Sequence, residues 1–325
     1  DLHDSEGREI FLRLVEGADV VVENFRAGWL ASQGLGADVI QARNPRCVVA
    51  SLSGFGATGP RAGRASYDIV AQATGGLMSI TGEEGGGPMR GGGALGDFVG
   101  GLYLGLGIVS ALLDRERTGR ARILDLSNQD CIFAITDSAA TLYAGLGEIA
   151  KPVGNQHPFT APYDAFPARD GWVVIATASN RLFRRLCSGI GRPEIATDER
   201  FRNHRVRATS RKQINAIVGE WVGQRSVEEV LVALGPDGAD VPCAKVESPE
   251  ELIDDPQLQA RGMIERYSHP RIGEVLFHGN PLKLSDSEPR ELELAPELGA
   301  DNDRVFAELG LSAEDLERLR GRGVI

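Results

Sequence analysis

Apolar and polar positions in the first third of the chain alternate between two periods. Residues 5–16 carry apolar side chains three and four apart, which predicts an amphipathic helix. The β-branched run at 18–22 predicts a strand, and a second helix (37–43) and strand (47–52) follow in the same succession. Short strands that alternate with helices are typical of βα units, so the pattern predicts a parallel sheet.

A longer apolar segment follows these units. Residues 98–116 predict a helix that ends at Arg117-Thr118-Gly119, and 123–126 predict the next strand. The loop at 53–60 lies at the carboxyl end of the second strand, where open α/β sheets bind ligands. We therefore expect a binding site on that side of the sheet.

The pattern changes between residues 149 and 167, which contain four prolines and indicate a crossover into a second domain. Strands are predicted there at 172–177 and 241–246. Two helices are predicted to start with capping boxes. The pairs are Ser210 with Gln213 and Ser248 with Glu251.

Composition narrows the class of protein. A formal net charge of −11 over 325 residues argues against nucleic acid or an anionic membrane as the main partner. The four cysteines form no close pair and the five histidines have no ligand-like spacing, so neither disulfides nor a metal are expected. No apolar run is judged long enough to span a membrane and no signal peptide is recognised, which predicts a cytoplasmic protein.

The segment from Gly91 to Gly101 carries the strongest candidate for chemistry. It places Asp97 between a glycine-rich loop (85–93) and the long apolar helix, whose glycines are expected to form one face. The helix macrodipole is expected to keep the carboxylate ionised, as a covalent nucleophile requires. The alternative is that Asp97 only caps the helix, because Asp is a preferred N-cap residue.

A second cluster is interpreted without a function. Five arginines between residues 200 and 211 are taken as a solvated, charge-balanced face, with phosphate binding as the alternative. The glycine-rich segment lacks the order of a dinucleotide-binding motif and the lysine of a P-loop, so NAD enzymes and P-loop NTPases are weakly supported.

Several segments, taken in order, resemble the class III coenzyme A transferase family (CaiB–BaiF), which includes formyl-CoA transferase, carnitine CoA-transferase and α-methylacyl-CoA racemase. No single motif is decisive, but the ordered set spans the whole chain. The matching segments are 18–26, 51–56 with 58–60, 67–68 with 71–73, 96–97, 117–119, 255–257 with 260–263, and 323–325.

The resemblance implies a Rossmann-like large domain at residues 1–150, a smaller α+β domain at 151–255, and a C-terminal return to the large domain at 256–325. It also implies an interlocked homodimer. The family's N-terminal segment, with its first βα units and further CoA contacts, is expected to be missing from this chain. If the chain is the whole molecule, its CoA site is then expected to be incomplete.

For the site, the resemblance makes Asp97 the nucleophile that attacks an acyl-CoA thioester, giving an aspartyl–acyl anhydride and then an aspartyl-CoA thioester. CoA is a substrate here, a carboxylic acid is the acceptor, and no cofactor is implied. Asn24, Phe25 and Arg26 match residues that hold CoA, and Gly96 and Asn128 match positions beside it. The family usually has methionine at position 128, and Gly-Gln where this chain has Ala121-Arg122.

Position 67 separates two activities within the family. The racemase branch carries a histidine there as one of two bases, whereas this chain has Tyr67. A phenol with an ordinary pKa of about 10 is a poor base at neutral pH, so CoA transfer is favoured over racemisation. A buried structural Tyr67 is the alternative for this residue. The rival functions are a 2-methylacyl-CoA racemase and a truncated, non-catalytic acyl-CoA-binding or dimerisation protein.

Overall fold

Three parallel strands in the order β1-β2-β3 form the first sheet: β1 (Val20–Glu23), β2 (Val48–Ser53) and β3 (Ile123–Ser127). The computed structural model describes residues 1–286, 293 and 295–325. These residues divide into two compact units, the first comprising Asp1–Gly154 with Pro296–Ile325 and the second Asn155–Ala295. The predicted parallel sheet is confirmed.

Eight helices precede, connect or follow these strands in the first 154 residues, all of which the structure describes. They are α1 (Ser5–Glu16), α2 (Trp29–Ser32), α3 (Ala37–Arg43), α4 (Asp68–Thr74), α5 (Leu77–Ile80), α6 (Leu95–Thr118), α7 (Asn128–Ala134) and α8 (Ala139–Leu146). The central strand β2 is buried on both faces. One face packs against α6 through Ala50, Leu52 and Leu104, and the apolar side chains of α1, α2 and α3 form a second core with Cys47 and Val49.

Helix α6 begins at Leu95, three residues before the predicted start, and its outer face is exposed. The exposed apolar residues are Phe98, Leu102, Leu106, Val109 and Leu113. The helix is long and apolar enough to cross a membrane by length and composition, with a mean hydropathy of 1.6 over 18 residues. The expectation that no run reaches that length is therefore wrong. The inner face of α6 nevertheless packs on the sheet, as a covering helix of an α/β fold does.

The second unit combines an antiparallel sheet with helices. The sheet has the order β4-β5-β6, and a separate hairpin pairs β7 with β8. Their bounds are β4 (Tyr163–Pro167), β5 (Trp172–Ala176), β6 (Cys243–Lys245), β7 (Ile264–His269) and β8 (Gly273–His278). The helices are α9 (Asn180–Gly189), α10 (His204–Thr209), α11 (Arg211–Gly223), α12 (Val227–Leu234), α13 (Pro249–Ile253) and α14 (Pro256–Ala260), with 3₁₀ turns at Pro193–Thr197 and Glu199–Phe201.

The C-terminal helices α15 (Asn302–Glu308) and α16 (Ala313–Gly321) belong to the first unit, where Leu319 and Val324 pack against Ile10 of α1. The chain re-enters this unit at Pro296, whereas the resemblance placed the return at residue 256. Residues 256–286, which include α14 and the β7-β8 hairpin, belong to the second unit.

One of the two predicted capping boxes is confirmed. Ser248 and Glu251 exchange both hydrogen bonds at the start of α13. Ser210 makes no side-chain capping bond, because the chain passes from α10 into α11 with this residue near a helical conformation. The Gln213 N–H donates instead to the Ser210 carbonyl at 3.0 Å.

Candidate functional site

The start of α6 is capped from outside the helix. Its N-cap residue is Ala94, which has no side chain able to accept a hydrogen bond, and Asp97 is the third residue of the helix. The Asp68 carboxylate, at the start of α4, accepts from the Gly96 N–H at 2.7 Å. The alternative that Asp97 serves as the cap is therefore wrong, and its carboxylate is free for another role.

Two glycines allow α6 to approach its neighbours closely. A Cβ at Gly96 would lie 3.1 Å from both the Ala71 Cβ and the Asp68 Oδ1, and a Cβ at Gly100 would lie 2.2 Å from the Asn128 Oδ1. Gly101 and Gly105 face open space, so the expected single glycine face is wrong. A Cβ at Gly100 would clash with Asn128 of α7, and one at Gly96 would be in tight contact with α4, so both glycines allow close packing on the first turns of α6.

The glycine-rich loop is tied to α4 by a polar network. Gln72 is fully buried, donates to the Asp68 carboxylate at 2.9 Å, and accepts from the Gly91 N–H at 2.9 Å. The Arg90 guanidinium donates to the same carboxylate at 3.2 Å. Burial favours the neutral form of Asp68, but hydrogen bonds from Gln72, Gly96 and Arg90 outweigh it and lower the pKa of this carboxyl.

These roles of Asp68, Gln72 and Arg90 were missed in the sequence. One signal was present, because an Asp and a Gln four residues apart lie on the same helix face and can hydrogen-bond. The contact with Gly96 had no such signal, since it joins residues 28 apart in the chain.

The Asp97 carboxylate has a different environment. Asp97 is exposed as a residue, yet desolvation of the carboxyl, followed by repulsion from Asp68, raises its pKa. Desolvation and the Asp68 charge thus oppose the ionised form that the helix macrodipole is expected to favour. The buried Asn128 donates from Nδ2 to Asp97 Oδ1 at 3.2 Å. Asp97 is thus an accessible carboxylate with a raised pKa and a buried amide beside it.

The predicted CoA-binding segment lies in the loop after β1. The Asn24 side chain donates to the Leu52 carbonyl near the end of β2, which fixes the loop against the sheet. Phe25 is 47% exposed and packs against Trp29 with ring centroids 4.3 Å apart. Arg26 is exposed, and among the described residues its guanidinium forms no hydrogen bond or ion pair. The aromatic face of Phe25 and the Arg26 cation are therefore available to a ligand.

Tyr67 is the N-cap residue of α4 and is 82% exposed. The alternative of a buried structural tyrosine is wrong. Tyr67 directly precedes Asp68, whose carboxylate accepts from the Gly96 N–H, so its backbone lies next to the start of α6. The structure thus brings Tyr67, Gly96, Asp97 and Asn128 into one connected set.

Asn24 connects to this set through β2, because the Leu52 side chain packs where a Cβ at Gly100 would lie. Next to the ends of β2 and β3, a cavity of about 490 Å³ is lined by Phe55, Arg61, Asp125 and Gln129, among others. The cavity lies at the loop 53–60, where the sequence predicts a binding site, and that prediction stays a prediction. Within residues 1–286, 293 and 295–325, no group of three or more His, Cys, Asp or Glu is arranged for a metal ion.

Comparison with known proteins identifies the class. The profile of CoA-transferase family III matches residues 1–302. The alpha subunit of succinyl-CoA–L-malate CoA-transferase from Chloroflexus aurantiacus is 35% identical over 328 residues, covering 100% of this chain and 76% of the relative. Acetyl-CoA:oxalate CoA-transferase from Acetobacter aceti is 37% identical over 300 residues, covering 92% of this chain and 75% of the relative.

Solved structures agree. A CaiB/BaiF family protein from Brucella suis superposes with a TM-score of 0.81 at 35% identity, covering 95% of this chain and 80% of that one. A Mycobacterium tuberculosis protein at 24% identity shares the fold, with a TM-score of 0.83 over 94% of this chain and 81% of that one. The chain belongs to CoA-transferase family III, and the family resemblance stated from the sequence is confirmed.

Proposed function

We propose that this protein transfers coenzyme A from an acyl-CoA to a free carboxylic acid, with Asp97 as the nucleophile. The observation that carries the proposal is that Asp97 stands in the first turn of α6 without capping it, because Asp68 accepts the Gly96 N–H instead. An exposed carboxylate released from structural work at a helix start is suited to covalent catalysis.

The proposed reaction balances in four steps. One Asp97 oxygen attacks the thioester carbonyl and CoA leaves as a thiolate, giving a mixed anhydride. The thiolate attacks Asp97 Cγ and releases the donor's carboxylate, giving an aspartyl-CoA thioester. The acceptor carboxylate attacks Cγ, which displaces the thiolate and forms a second anhydride. The thiolate then attacks the acceptor's acyl carbon and restores Asp97.

The relatives' names support a substrate class. Four of them are named as transferases between succinyl-CoA or succinate and malate, citramalate, mesaconate or glutarate, and a fifth acts on oxalate. All of these acids are dicarboxylic. We therefore assign succinyl-CoA as the donor and a small dicarboxylic acid as the acceptor.

The remaining site residues have proposed binding roles. The Arg26 guanidinium pairs with CoA phosphate oxygens, Phe25 flanks the adenine or pantetheine, and Asn24 holds the loop that carries both. Tyr67 donates its hydroxyl to an acyl or carboxylate oxygen. The glycine-rich loop, tied to α4 at Gly91, covers the anhydride and excludes water that would hydrolyse it.

The test is to incubate the protein with succinyl-CoA and hydroxylamine and to search for a hydroxamate at Asp97 by mass spectrometry. In parallel, ¹⁴C-labelled succinate is followed into succinyl-CoA, and malate, mesaconate and oxalate are compared as acceptors. An Asp97 adduct together with label exchange is expected. Exchange without an adduct at Asp97 would overturn the mechanism. Deuterium uptake at the α-carbon of a 2-methylacyl-CoA without exchange would identify a racemase instead.

We further propose that the protein is a homodimer, interlocked as the resemblance implies. The apolar stripe on α6 supports this, because its five residues are 60–75% exposed and repeat every three or four positions. Light scattering is expected to report a dimer that Leu106→Glu dissociates. Val232→Glu, which adds the same charge at an equally exposed site on α12 in the second unit, is expected to leave it intact. A wild-type monomer would contradict the proposal.

A cytoplasmic location is also proposed. All four cysteines are free thiols, as is usual in a reducing compartment, and acyl-CoA chemistry is consistent with it. Fractionation of cells that express the protein at natural levels tests this location. Recovery in the membrane pellet would contradict it and would assign a different role to the exposed face of α6.

A further inference from the structure

Asn128 occupies a position that α7 does not need for its own capping. It is the first residue of α7, directly after β3, and the preceding Ser127 already caps the helix by accepting from the Asp130 N–H at 3.1 Å. Asn128 is only 7% exposed. A polar amide is therefore buried at this helix start without a capping task.

The amide points one end at Asp97. Its Nδ2 donates to Asp97 Oδ1 at 3.2 Å, the one hydrogen bond that this carboxylate receives from the part of the chain that the structure describes. Because the bond reaches Oδ1, the Oδ2 oxygen has no donor among residues 1–286, 293 and 295–325. The two oxygens of the carboxylate are thus made unequal.

The other end of the amide carries a cost. Asn128 Oδ1 is buried, has no hydrogen-bond partner among the described residues, and lies against the bare backbone of Gly100, one turn after Asp97. An unsatisfied buried acceptor costs about 1–3 kcal/mol, and the methionine usual in the family would avoid that cost. The chain has an amide here in spite of this cost, which directs attention to the end that bonds Asp97.

We propose that Asn128 is a positioning residue that fixes Asp97 Oδ1 and later stabilises negative charge on that oxygen. This inference rests on the proposed function. With Oδ1 held by the amide, Oδ2 is the oxygen that attacks the thioester, so Oδ1 becomes the carbonyl oxygen of the anhydride.

The amide then acts in the following step. When the CoA thiolate attacks Asp97 Cγ, the Cγ–S bond forms, the electron pair of the carbonyl moves onto Oδ1, and the Cγ–O bond to the donor acid breaks as that carbonyl re-forms. A donor already pointing at Oδ1 needs no reorganisation as charge develops there. The same geometry serves the attack of the acceptor carboxylate on the aspartyl thioester.

Two variants separate this role from simple packing. Asn128→Leu keeps the volume and removes the donor, so we expect label exchange to fall about 10²-fold with KM for succinyl-CoA nearly unchanged. Asn128→Asp keeps the shape but replaces the donor by a second carboxylate. Exchange is then expected to be slow at neutral pH and to rise as the pH is lowered, because a proton shared by the two carboxyls restores a donor to Oδ1. A packing role alone produces no such acidic recovery.

The titration of Asp97 can be measured without substrate. This measurement tests the role of Asn128 separately from the proposed CoA-transferase function. Carbodiimide labels protonated carboxyls, so the pH midpoint of Asp97 labelling, followed by peptide mass spectrometry, reports its titration without substrate. Asn128→Leu is expected to raise this midpoint, since the bond to Oδ1 stabilises the ionised form. The control is Gln129→Leu, which removes the neighbouring bond to the Thr74 carbonyl and is expected to leave the midpoint unchanged.

The outcomes are distinct. An unchanged midpoint in Asn128→Leu, with wild-type exchange, overturns the role of Asn128 while the proposed function stands. A raised midpoint in a protein that forms no Asp97 adduct supports the contact and refutes the proposed function. An Asn128→Asp variant whose exchange falls steadily with acid contradicts the assignment of Oδ1 as the oxygen that the amide serves.

Discussion

Two ionisable side chains, one in each unit of the molecule, have opposite environments. In the second unit, Arg207 is fully buried and donates to the carbonyls of Ala161 and Phe201 and to the Asn180 amide, each at 3.0 Å, with Phe183 beneath its guanidinium. In the first unit, α6 begins without a capping side chain of its own, and the carboxylate in its first turn stays exposed.

The difference teaches how to separate a structural charge from a functional one. Burial lowers the pKa of Arg207, and desolvation with a like charge raises that of Asp97, so a shift alone does not distinguish them. Access does distinguish them. The arginine is buried and donates to three acceptors within its own unit, whereas the aspartate is exposed to solvent. Arg207 also corrects the expectation that the arginines between 200 and 211 are all solvated.

The largest expected effect comes from Asp97→Asn. Loss of the nucleophile should lower exchange by at least about 10³-fold. Because the pKa of Asp97 is raised in the folded protein, its protonated form stabilises the fold. This contribution is complete below about pH 3.8 and is lost as the pH rises through the folded pKa, so at pH 7 the ionised side chain gives no net stabilisation. At pH 7 the variant should therefore unfold at the same temperature as the wild type or higher. Calorimetry measures the unfolding temperature, and the label-exchange assay measures activity. A marked loss of stability would make Asp97 a structural residue.

Arg207→Leu should produce the reverse pattern, a loss of stability with the catalytic groups untouched. It leaves three acceptors without their donor in a buried site and should cost about 3–5 kcal/mol of unfolding free energy. Urea denaturation measures this value. The control is Arg205→Leu on the same helix, which removes an exposed arginine and should change stability by less than about 0.5 kcal/mol. Equal effects of the two substitutions would contradict the assignment.

Asp68→Asn tests the link between cap and nucleophile. It weakens the bonds to Gly96, Gln72 and Arg90, and should cost about 1–2 kcal/mol at pH 7. Because the folded pKa of Asp68 is lowered, the wild type has this advantage above about pH 3.8 and loses it as the pH falls through the folded value. The stability gap should narrow in acid.

Exchange by Asp68→Asn should fall about tenfold, since the start of α6 shifts with its cap. The matched control is Asp170→Asn in the second unit, whose carboxylate accepts from the Val227 N–H at the start of α12 at 2.8 Å. That variant should lose stability and keep its exchange rate. Parallel loss of exchange in both would indicate global destabilisation rather than a local link.

The elements that could be predicted from the sequence are those whose signal lies within the element itself. The helices at 5–16 and 37–43 were predicted with the bounds that α1 and α3 have, because each carries its own periodicity. The start of α6 was placed three residues late, since Ala94 and Leu95 carry no signal and the helix is capped by Asp68 across 28 residues. The burial of Arg207 could not be predicted, because a charge pattern does not reveal which side chain the fold encloses.

In the candidate site, too, single residues could be recognised from the sequence but the contact between them could not. Asp97 was found from its glycine neighbours and the resemblance, and Asn128 was noted as a departure from the family. What the sequence lacked was their contact, because an amide at the end of β3 meets α6 only after the sheet forms. The residue types that could carry the chemistry were recognisable in the sequence. The hydrogen bond that makes Asp97 Oδ1 and Oδ2 unequal depends on the folded structure and could not be predicted.

The smallest expected effect concerns two serines of the second unit that precede helices. At Ser226 the backbone is extended (φ −73°, ψ 162°) and the hydroxyl accepts from the Glu229 N–H, completing a capping box with that glutamate. At Ser210, φ −103° and ψ 19° turn the hydroxyl away and the backbone carbonyl accepts instead. Ser226→Ala should therefore cost about 1 kcal/mol, and Ser210→Ala less than about 0.5 kcal/mol, by urea denaturation. Neither should alter CoA exchange. Equal losses of unfolding free energy in the two variants would mean that the contribution of a serine before a helix depends on residue type and not on backbone geometry. The distinction between helices capped by their own N-cap side chain and α6, which is capped by Asp68, would then not be supported.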